Sequence, residues 1–309
     1  LLPMLGIGGM QLYRAESPGP VKDNKLVPRL AETAKSLWLL YLSLTVVCMI
    51  AYWAAGMSMF DAISHSFSTV AIGGFSTHDA SIAYFDSPLI EFIAVFFMVV
   101  AGINFALHFL ALQKRQLKHY LKDPEFQFYV FILGSVSLIT VVVLAADGTY
   151  GSLSEALRRG LFQVVSFATT TGYATADFNS WPLFLPYVLL YAAIIGACAG
   201  STGGGMKVIR ILLIFKQGFR EVQRLIHPRA IIPIKLGKKV MSDRIVESVW
   251  GFFAVYVMAF MVMLLALLTT GLDLSLIHIS EPTRQAEIAY AGVGLKKKGG
   301  GGGGGGGGG

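Results

Sequence analysis

Long apolar runs constrain the fold of this chain more than any other feature. They fall near residues 37–57, 88–112, 126–146, 183–214 and 248–268. A helix of about 20 apolar residues spans the hydrocarbon core of a bilayer. Only 14% of the residues are charged, whereas soluble domains carry about 25%. These features disfavour a soluble fold and predict an all-α, polytopic membrane protein.

Two shorter apolar stretches, 59–70 and 152–168, lie between the long ones, and each runs into a turn rich in Gly or Thr. Each stretch is too short or too polar to span a bilayer comfortably, which favours re-entrant segments. The predicted order is therefore helix, re-entrant segment, helix, and this order occurs twice along the chain. We call residues 37–112 unit A and residues 126–214 unit B.

The distribution of Lys and Arg predicts the orientation. Residues 13–36 hold five, residues 113–125 hold four and residues 207–247 hold ten, whereas 58–87 hold none and 147–182 hold only Arg158 and Arg159. By the positive-inside rule the three basic loops are cytoplasmic and the re-entrant turns face outward. The net charge of +7 is thus a topology signal spread over three loops, and no nucleic-acid partner is expected.

The two re-entrant turns repeat one pattern 98 residues apart. Residues 68–79 read STVAIGGFSTHD and residues 166–177 read SFATTTGYATAD. Carbonyls of such non-helical backbone can replace the hydration shell of an ion. Gly74 and Gly172 are predicted to supply the unusual backbone angles, and Phe75 and Tyr173 to wedge each loop against surrounding helices. The alternative is an ordinary Gly-containing loop between two spans.

A glycine-rich segment, GACAGSTGGGMK at residues 196–207, interrupts an otherwise spanning helix. It fits a phosphate-binding loop poorly, since that motif ends in Gly-Lys-Ser/Thr. Gly196 and Gly200 alone would suit helix packing. Three consecutive glycines, each costing about 1 kcal/mol in a helix, favour deliberate unwinding instead. Unwound backbone beneath a pore is a candidate gate, with Lys207 and Arg210 at its cytoplasmic mouth.

Polar residues within or near the spans give weaker signals. Asn104 and His108 lie four apart on one predicted helix face, where a hydrogen bond between helices is the favoured interpretation. Five acids are candidates for a negative outer vestibule that concentrates cations, or are simply solvated loop residues. They are Asp61, Asp79, Asp86, Glu91 and Asp177.

Three motifs in order resemble one family. Residues 68–79, 167–177 and 200–207, together with the opening LGIGGMQLYRAE at residues 5–16, are similar to the membrane (TrkH-type) subunit of bacterial Trk potassium uptake systems, in the Trk/Ktr/HKT superfamily. The likeness runs from residue 1 to about residue 273. It implies a pseudo-fourfold, potassium-channel-like pore of four helix–pore-loop–helix repeats.

The resemblance implies a role for each segment. Residues 1–12 would end the first repeat, unit A would be the second, unit B the third, and 248–268 the first helix of the fourth. The family's filter glycines map to Gly74 and Gly172, so that carbonyls of Ile72, Gly73, Thr170 and Thr171 would face potassium. Glycine there goes with potassium preference in the family, and serine in the first repeat with sodium permeation. The gating loop maps to Cys198, Gly200, Ser201, Thr202, Gly203, Gly204 and Gly205.

The implied function is potassium uptake across the bacterial inner membrane, with potassium as substrate and no cofactor. A homodimer, a cytosolic nucleotide-binding regulatory (TrkA-type) subunit and membrane lipid are the implied partners. The basic segment 216–247 would face either that subunit or anionic lipid. No HExxH, paired intramembrane carboxylates or Ser/His arrangement indicates an enzyme. The alternatives are a non-conducting assembly subunit and a sodium/potassium-permeable transporter.

The end of the sequence changes character near Leu274. Residues 274–284 and 288–298 resemble a translated sequencing-library adapter, and Gly299–Gly309 is a pure glycine run. We interpret residues 274–309 as non-native, with a flexible linker or tag as the alternative. Since the first and fourth filters are absent, the chain as written is expected not to conduct, and the function refers to its parent protein.

Overall fold

The computed structural model describes residues 30–182, 184–230, 232–237 and 239–269. The helices in these ranges are α1 Leu30–Ala54, α2 Met59–Val70, α3 Pro88–Ala101, α4 Phe105–Lys114, α5 Lys118–Lys122, α6 Pro124–Asp147, α7 Leu153–Ala168, α8 Phe184–Ile195, α9 Val208–Ile226 and α10 Asp243–Thr269. Two short 3-10 helices cover Ser81–Phe85 and Phe178–Ser180. A two-residue antiparallel hairpin pairs Lys235 with Val240 and Leu236 with Lys239. The predictions for 1–12 and 274–309 fall outside the described residues.

Three described helices are long and apolar enough to cross a membrane: Lys35–Ala54 within α1, α6, and Asp243–Ala266 within α10. The pair α3 and α4 adds a fourth if it counts as one span, and α8 is a shorter apolar helix. This confirms the predicted all-α, polytopic membrane class.

The two short stretches form helices α2 and α7, and each is started by a serine cap. The Ser58 hydroxyl accepts a hydrogen bond from the Asp61 N–H, and Ser152 does the same for Glu155. Each serine thereby pairs one of the free N–H groups at the start of its helix, and the acid three residues later is favoured there by the helix dipole. Helix α2 packs on α1 and α7 packs on α6, so that each unit holds its short helix against its own long one.

One buried core joins the two units. Tyr52 of α1, Phe162 of α7 and Tyr173 beyond α7 are all fully buried in the same cluster, together with Tyr129 of α6. Because these aromatic rings come from both units, the turns that follow α2 and α7 are placed by shared packing. The position of each turn therefore depends on both units.

The segment 88–112 was predicted as one continuous span, and this is wrong. Its two halves, α3 and α4, meet at an angle of 92°. The bend begins at Gly102, where an added Cβ would collide with the hydroxyl of Tyr129. A side chain at this position would push α3 away from α6, so the bend needs glycine.

Asn104 begins α4 instead of lying on a helix face, since its side chain accepts from the N–H of Ala106 at 2.9 Å. His108 makes the hydrogen bond between helices that was expected, through Nδ1 to the hydroxyl of Tyr120 in α5 at 2.7 Å. Its Nε2 pairs with the carbonyl of Val100 across the bend at 2.9 Å. The Asn104 and His108 pair thus stabilises a break in the helix.

We expect Gly102→Ala to lower the thermal stability of the purified protein, because overpacking a core site costs about 1–3 kcal/mol. Gly134→Ala in the middle of α6 is the matched control, since an added Cβ there meets nothing within 4 Å. Alanine favours a helix over glycine by about 1 kcal/mol, so the control should keep or raise the melting temperature. Equal melting temperatures for the two variants would contradict the packing at Gly102.

Candidate functional site

Two turns end the short helices, and they are built from the same hydrogen bonds. We call residues 70–75 turn A and residues 168–173 turn B. In turn A, the N–H of Ala71 donates to the carbonyl of Phe67, that of Ile72 to Thr69, and that of Gly73 to Ser68. In turn B, the N–H of Thr169 donates to the carbonyl of Val165, that of Thr170 to Phe167, and that of Thr171 to Ser166. These three bonds correspond one to one at a spacing of 98 residues, and turn B has one more, from the N–H of Gly172 to the carbonyl of Ser166 at 3.3 Å. The last two bonds of each set form a Schellman motif, which satisfies the final carbonyls of a helix.

The backbone handedness also repeats. Ile72 and Gly74 have φ of 56° and 68°, and Thr170 and Gly172 have φ of 64° and 86°, whereas the residues between them do not have positive φ. A change of handedness at every second residue turns successive peptide groups toward one side, as in anion-binding backbone nests. A cation-coordinating turn requires the carbonyls, in place of the N–H groups of a nest, to face one side.

Two of these left-handed positions hold β-branched residues, Ile72 and Thr170. Left-handed backbone crowds a β-branched side chain, and such outliers cost about 1–3 kcal/mol each and concentrate at functional sites. The surrounding packing offsets that cost, since Ile72 is 6% exposed and the hydroxyl of Thr170 accepts from the N–H of Gly204 at 2.6 Å. The strain therefore marks both turns as functional candidates.

Turns A and B touch each other. A Cβ added to Gly74 would collide with the carbonyl oxygen of Thr171 and would lie 3.2 Å from the carbonyl carbon of Gly172. Gly74 therefore needs to be glycine on two grounds, the positive φ and the close approach. The structure brings all six predicted filter residues, Ile72, Gly73, Gly74, Thr170, Thr171 and Gly172, into two adjacent turns.

The two aromatic residues of the repeat behave differently. Tyr173 is fully buried, and its hydroxyl lies 3.2 Å from Thr69 Oγ1 and donates to the carbonyl of His65. Tyr173 thus fixes turn B against α2, as predicted for a wedging residue. Phe75 is 53% exposed within the described structure, so no described helix encloses it.

Two of the five predicted vestibule acids, Glu91 and Asp86, are paired with arginines. The carboxylate of Glu91 pairs with Arg158 and Arg159, and Asp86 lies 3.3–3.5 Å from the same two guanidinium groups. Asp61 accepts from the hydroxyl of Thr77 at 2.6 Å, and this hydrogen bond holds the pKa of Asp61 below its usual value. A strongly negative vestibule built from all five acids is therefore not what the structure presents.

The glycine-rich segment breaks the helix as a loop, Gly196–Lys207, between α8 and α9. It lies directly against both turns. Thr202 Oγ1 donates to the carbonyl of Val70 at 2.8 Å, and the N–H of Gly204 donates to Thr170 Oγ1. A Cβ added to Gly203 would lie 2.9 Å from the carbonyl oxygen of Thr169 and 3.6 Å from Ile72 Cδ1.

The bend in unit A holds this loop from the other side. The N–H of Cys198 donates to the carbonyl of Gly102, and the N–H of Phe105 donates to the carbonyl of Gly200, both at 3.0 Å. Buried Glu125 adds a third contact by accepting from the N–H of Ala199 at 2.5 Å. The two broken helices thus satisfy each other's free backbone groups, which a membrane interior would otherwise penalise.

The bend at Gly102 and the carboxylate of Glu125 were missed by sequence reasoning. Ala101-Gly102 and Ala199-Gly200 repeat the 98-residue spacing, so extending the internal repeat beyond the turns would have indicated a break in both units. Asn104, a good N-cap residue inside an apolar run, was a second signal. Nothing in the local sequence indicates the role of Glu125.

The glycine-rich loop needs several of its glycines. Gly196, Gly200 and Gly205 have φ of 71–72°, and an added Cβ at Gly205 would lie 2.7 Å from the Cα of Gly196. The two ends of the loop are therefore in backbone contact. Since Gly196 and Gly200 lie outside any helix, they do not form a helix-packing GxxxG pair.

The two cations predicted at the pore mouth occupy different places. Lys207 Nζ donates to the carbonyl of Gly203 within the loop. Arg210 donates to the carbonyl of Met206 at 3.3 Å, and its guanidinium lies 3.9 Å from the ring centroid of Phe252 in α10. The structure therefore brings both cations onto the loop backbone, Lys207 at Gly203 and Arg210 at Met206.

Comparisons with known proteins point in one direction. The sequence model of the family described as "TrkH: Cation transport protein" matches residues 1–280. The Trk system potassium uptake protein TrkH of Salmonella typhimurium is 57% identical over 273 residues, which are 88% of this chain and 56% of that protein. The Trk system potassium uptake protein TrkG of Escherichia coli is 41% identical over the same shares.

A solved structure has the same fold as this chain over most of its length. The potassium transporter TrkH from Vibrio parahaemolyticus superposes with a TM-score of 0.77 at 53% identity, covering 80% of this chain and 53% of that one. The chain spans 56% of the length of the curated relatives that match first, or about half.

We expect Thr170→Val to loosen the glycine-rich loop. Valine keeps the β-branched shape of Thr170 and removes the oxygen that accepts from the N–H of Gly204. Losing one hydrogen bond of about 1 kcal/mol should speed amide exchange across Gly196–Lys207 about fivefold, as followed by hydrogen-exchange mass spectrometry. Thr149→Val is the control, because the Thr149 hydroxyl contacts only Asp147 on a distant loop. Unchanged exchange in Thr170→Val would rule out this contact.

Proposed function

Because the chain belongs to the TrkH family of cation transport proteins, we propose that it forms two pore repeats of a potassium uptake protein. Unit A is the second repeat and unit B the third. The observation that carries the proposal is the matched construction of turns A and B, with the same hydrogen bonds and the same alternation of φ at corresponding residues. The relatives are named as potassium uptake proteins.

The two turns act as two sides of a selectivity filter. Carbonyls of Ile72, Gly73, Thr170 and Thr171 coordinate the ion as substrate. Oxygen dipoles in place of water are the usual means by which a channel binds a hard monovalent cation. Two turns form two sides of such a filter, and conduction is proposed for the whole protein.

The glycine-rich loop, residues Cys198–Gly205, serves as the gate. Its hydrogen bonds to Val70 and Thr170 hold it against both turns, which supports a gate that an ion leaving the turns inward meets next. Opening then requires the loop to move and those two bonds to break. Lys207, bonded to the loop backbone, moves with it.

The whole protein is a multi-pass transporter of the bacterial inner membrane, with turns A and B on the periplasmic side and the basic loops in the cytoplasm. It works as a homodimer with a cytosolic nucleotide-binding subunit. Helix α9 supplies basic residues such as Lys216 and Arg224 on the cytoplasmic side, which suit that subunit or anionic lipid. The chain carries no enzymatic activity in this proposal.

Potassium-dependent growth tests the proposal directly. The full-length gene, expressed in a host that lacks its own potassium uptake, should restore growth at low potassium. A protein that inserts in the membrane and leaves growth unrestored would favour a non-conducting assembly subunit. Growth accompanied by equal sodium and potassium uptake would favour a sodium/potassium-permeable transporter.

Gly74→Ser and Gly172→Ser in the full-length protein should lower the preference for potassium over sodium. At Gly74 the new Cβ displaces the Thr171 carbonyl, and at Gly172 a side chain strains a backbone with φ of 86°. The measurement is sodium and potassium uptake in the same cells. Gly151→Ser, where an added Cβ meets nothing within 4 Å, is the control. Unchanged ratios in both filter variants would refute the filter assignment.

Thr202→Val should raise basal potassium flux, because it removes the bond that holds the loop to the Val70 carbonyl. A bond of about 1 kcal/mol shifts the balance between open and closed loops about fivefold. Ser201→Ala is the matched control, since its hydroxyl bonds Cys198 inside the loop. Flux through liposomes that contain the full-length protein is the readout, and no rise relative to Ser201→Ala would count against the gate.

A further inference from the structure

The segment after each turn is held by the short helix of its own unit, from corresponding positions. In unit A, Asp61 of α2 accepts from the hydroxyl of Thr77 at 2.6 Å. In unit B, Arg159 of α7 donates to the carbonyl of Thr175 at 2.8 Å. Asp61 and Arg159 are 98 residues apart, and so are Thr77 and Thr175. One structural task is thus performed by an anion in one unit and by a cation in the other.

A second pair of corresponding residues supports the same segments. In unit A, His65 Nε2 lies 2.9 Å from the hydroxyl of Ser76. In unit B, Gln163 Oε1 accepts from the N–H of Thr175 at 3.2 Å. Thr175 is therefore bonded at both its N–H and its carbonyl, and it lies three residues after Gly172. The path of the backbone beyond turn B depends on these two side chains.

The cation in unit B requires a counter-charge, and unit A provides it. Glu91, on α3, is 2% exposed. Its Oε1 accepts from Arg159 Nη1 at 3.1 Å, and both of its oxygens accept from Arg158, at 2.7 and 2.9 Å. A buried ionised carboxylate in a membrane protein is expensive unless paired, and such residues are functional candidates. The pairing here is bidentate, the strong form.

One nitrogen atom, Arg159 Nη1, connects the carboxylate of Glu91 to the segment that follows turn B. Arg159 Nη1 donates both to Glu91 Oε1 and to the carbonyl of Thr175. A guanidinium has rigid fork geometry, so fixing it on Glu91 fixes the direction of its bond to Thr175. Asp86 reaches the same guanidinium groups at 3.3 and 3.5 Å, but its side chain is 77% exposed and is screened by water.

We propose that Glu91 is a positioning residue for turn B, holding Arg159 on the carbonyl of Thr175 across the boundary between the two units. This inference rests on the proposed function, because its effect is expressed as ion selectivity. The side chains that hold the segments after the two turns thus differ: Asp61 holds the segment after turn A from within unit A, and Arg159 holds the segment after turn B with a counter-charge from unit A. The selectivity of turn B is therefore sensitive to the packing of α3 on α7.

The test is Glu91→Gln in the full-length protein, with sodium and potassium uptake measured in the same cells. Glutamine keeps the shape and removes the charge. The sodium-to-potassium ratio should rise about tenfold, the lower end of what is lost when a group that orients a metal ligand is removed. A merely structural role would lower the amount of protein in the membrane and the uptake of both ions together, leaving the ratio unchanged.

Asp86→Asn is the matched control, since Asp86 pairs with the same arginines from an exposed position. It should leave the ratio at the wild-type value. Arg159→Gln should reproduce the effect of Glu91→Gln. The double variant should add nothing further, because both changes break one chain of contacts. Additive effects, or a ratio in Glu91→Gln equal to that of Asp86→Asn, would overturn the inference.

Arg159→Lys covers the case in which Glu91→Gln does not reach the membrane. Lysine keeps the positive charge beside Glu91 and loses the rigid fork that also reaches Thr175. It should fold and still raise the ratio, and an unchanged ratio would overturn the inference. A wild-type protein that takes up no potassium would instead refute the proposed function. Selective wild-type uptake with no response in these variants refutes only the role of Glu91.

Discussion

The architecture depends on one constraint, namely that non-helical backbone within a membrane must find hydrogen-bond partners inside the protein. Two spans of this chain are broken, one between α3 and α4 and one between α8 and α9. The free N–H and carbonyl groups of each break bond the other break, at Cys198 with Gly102 and at Phe105 with Gly200. Neither break would be tolerated alone in an apolar solvent, so the two units fold as one body.

The same interlock explains why the glycine-rich loop can lie so close to the turns. Once the breaks are bonded to each other, Thr202 and Gly204 are left facing the ends of α2 and α7, where they complete the bonding of Val70 and Thr170. The turns hold strained, left-handed β-branched residues, and such strain persists only where neighbours over-determine the backbone. A loop in direct contact with strained turns is well placed to transmit a conformational change between them.

The backbone of the two turns is repeated between units A and B, whereas the side chains that support the turns differ. The three backbone hydrogen bonds that end α2 and α7 correspond in turns A and B, since they are fixed by the requirement to end a helix. The side chains that brace the turns do not repeat, because only the backbone geometry is constrained and any donor or acceptor of suitable reach can support it. Asp61 and Arg159, opposite in charge at corresponding positions, are the clearest case. An anion there is satisfied by a hydroxyl within its own unit, and a cation draws a carboxylate from the other.

The sequence by itself determined the membrane class, the all-α fold, the break at residues 196–207 and the two turns, because hydropathy, glycine clusters and a 98-residue repeat are local signals. It even indicated positive φ at Gly74 and Gly172, for which glycine is the default residue. Tertiary structure alone decided the 92° angle of the bend at Gly102, the burial of Tyr173 beside an exposed Phe75, and the pairing of Glu91 with Arg158 and Arg159. Each of these features depends on which side chains a distant segment brings into contact with the residue. The apolar composition around Gly102, for example, would be the same for a continuous helix and for one that turns by 92°. The local sequence pattern determines where the backbone can leave a helical conformation. Contacts between the two units determine which of these breaks are stabilised and which turns and loops the breaks hold in place.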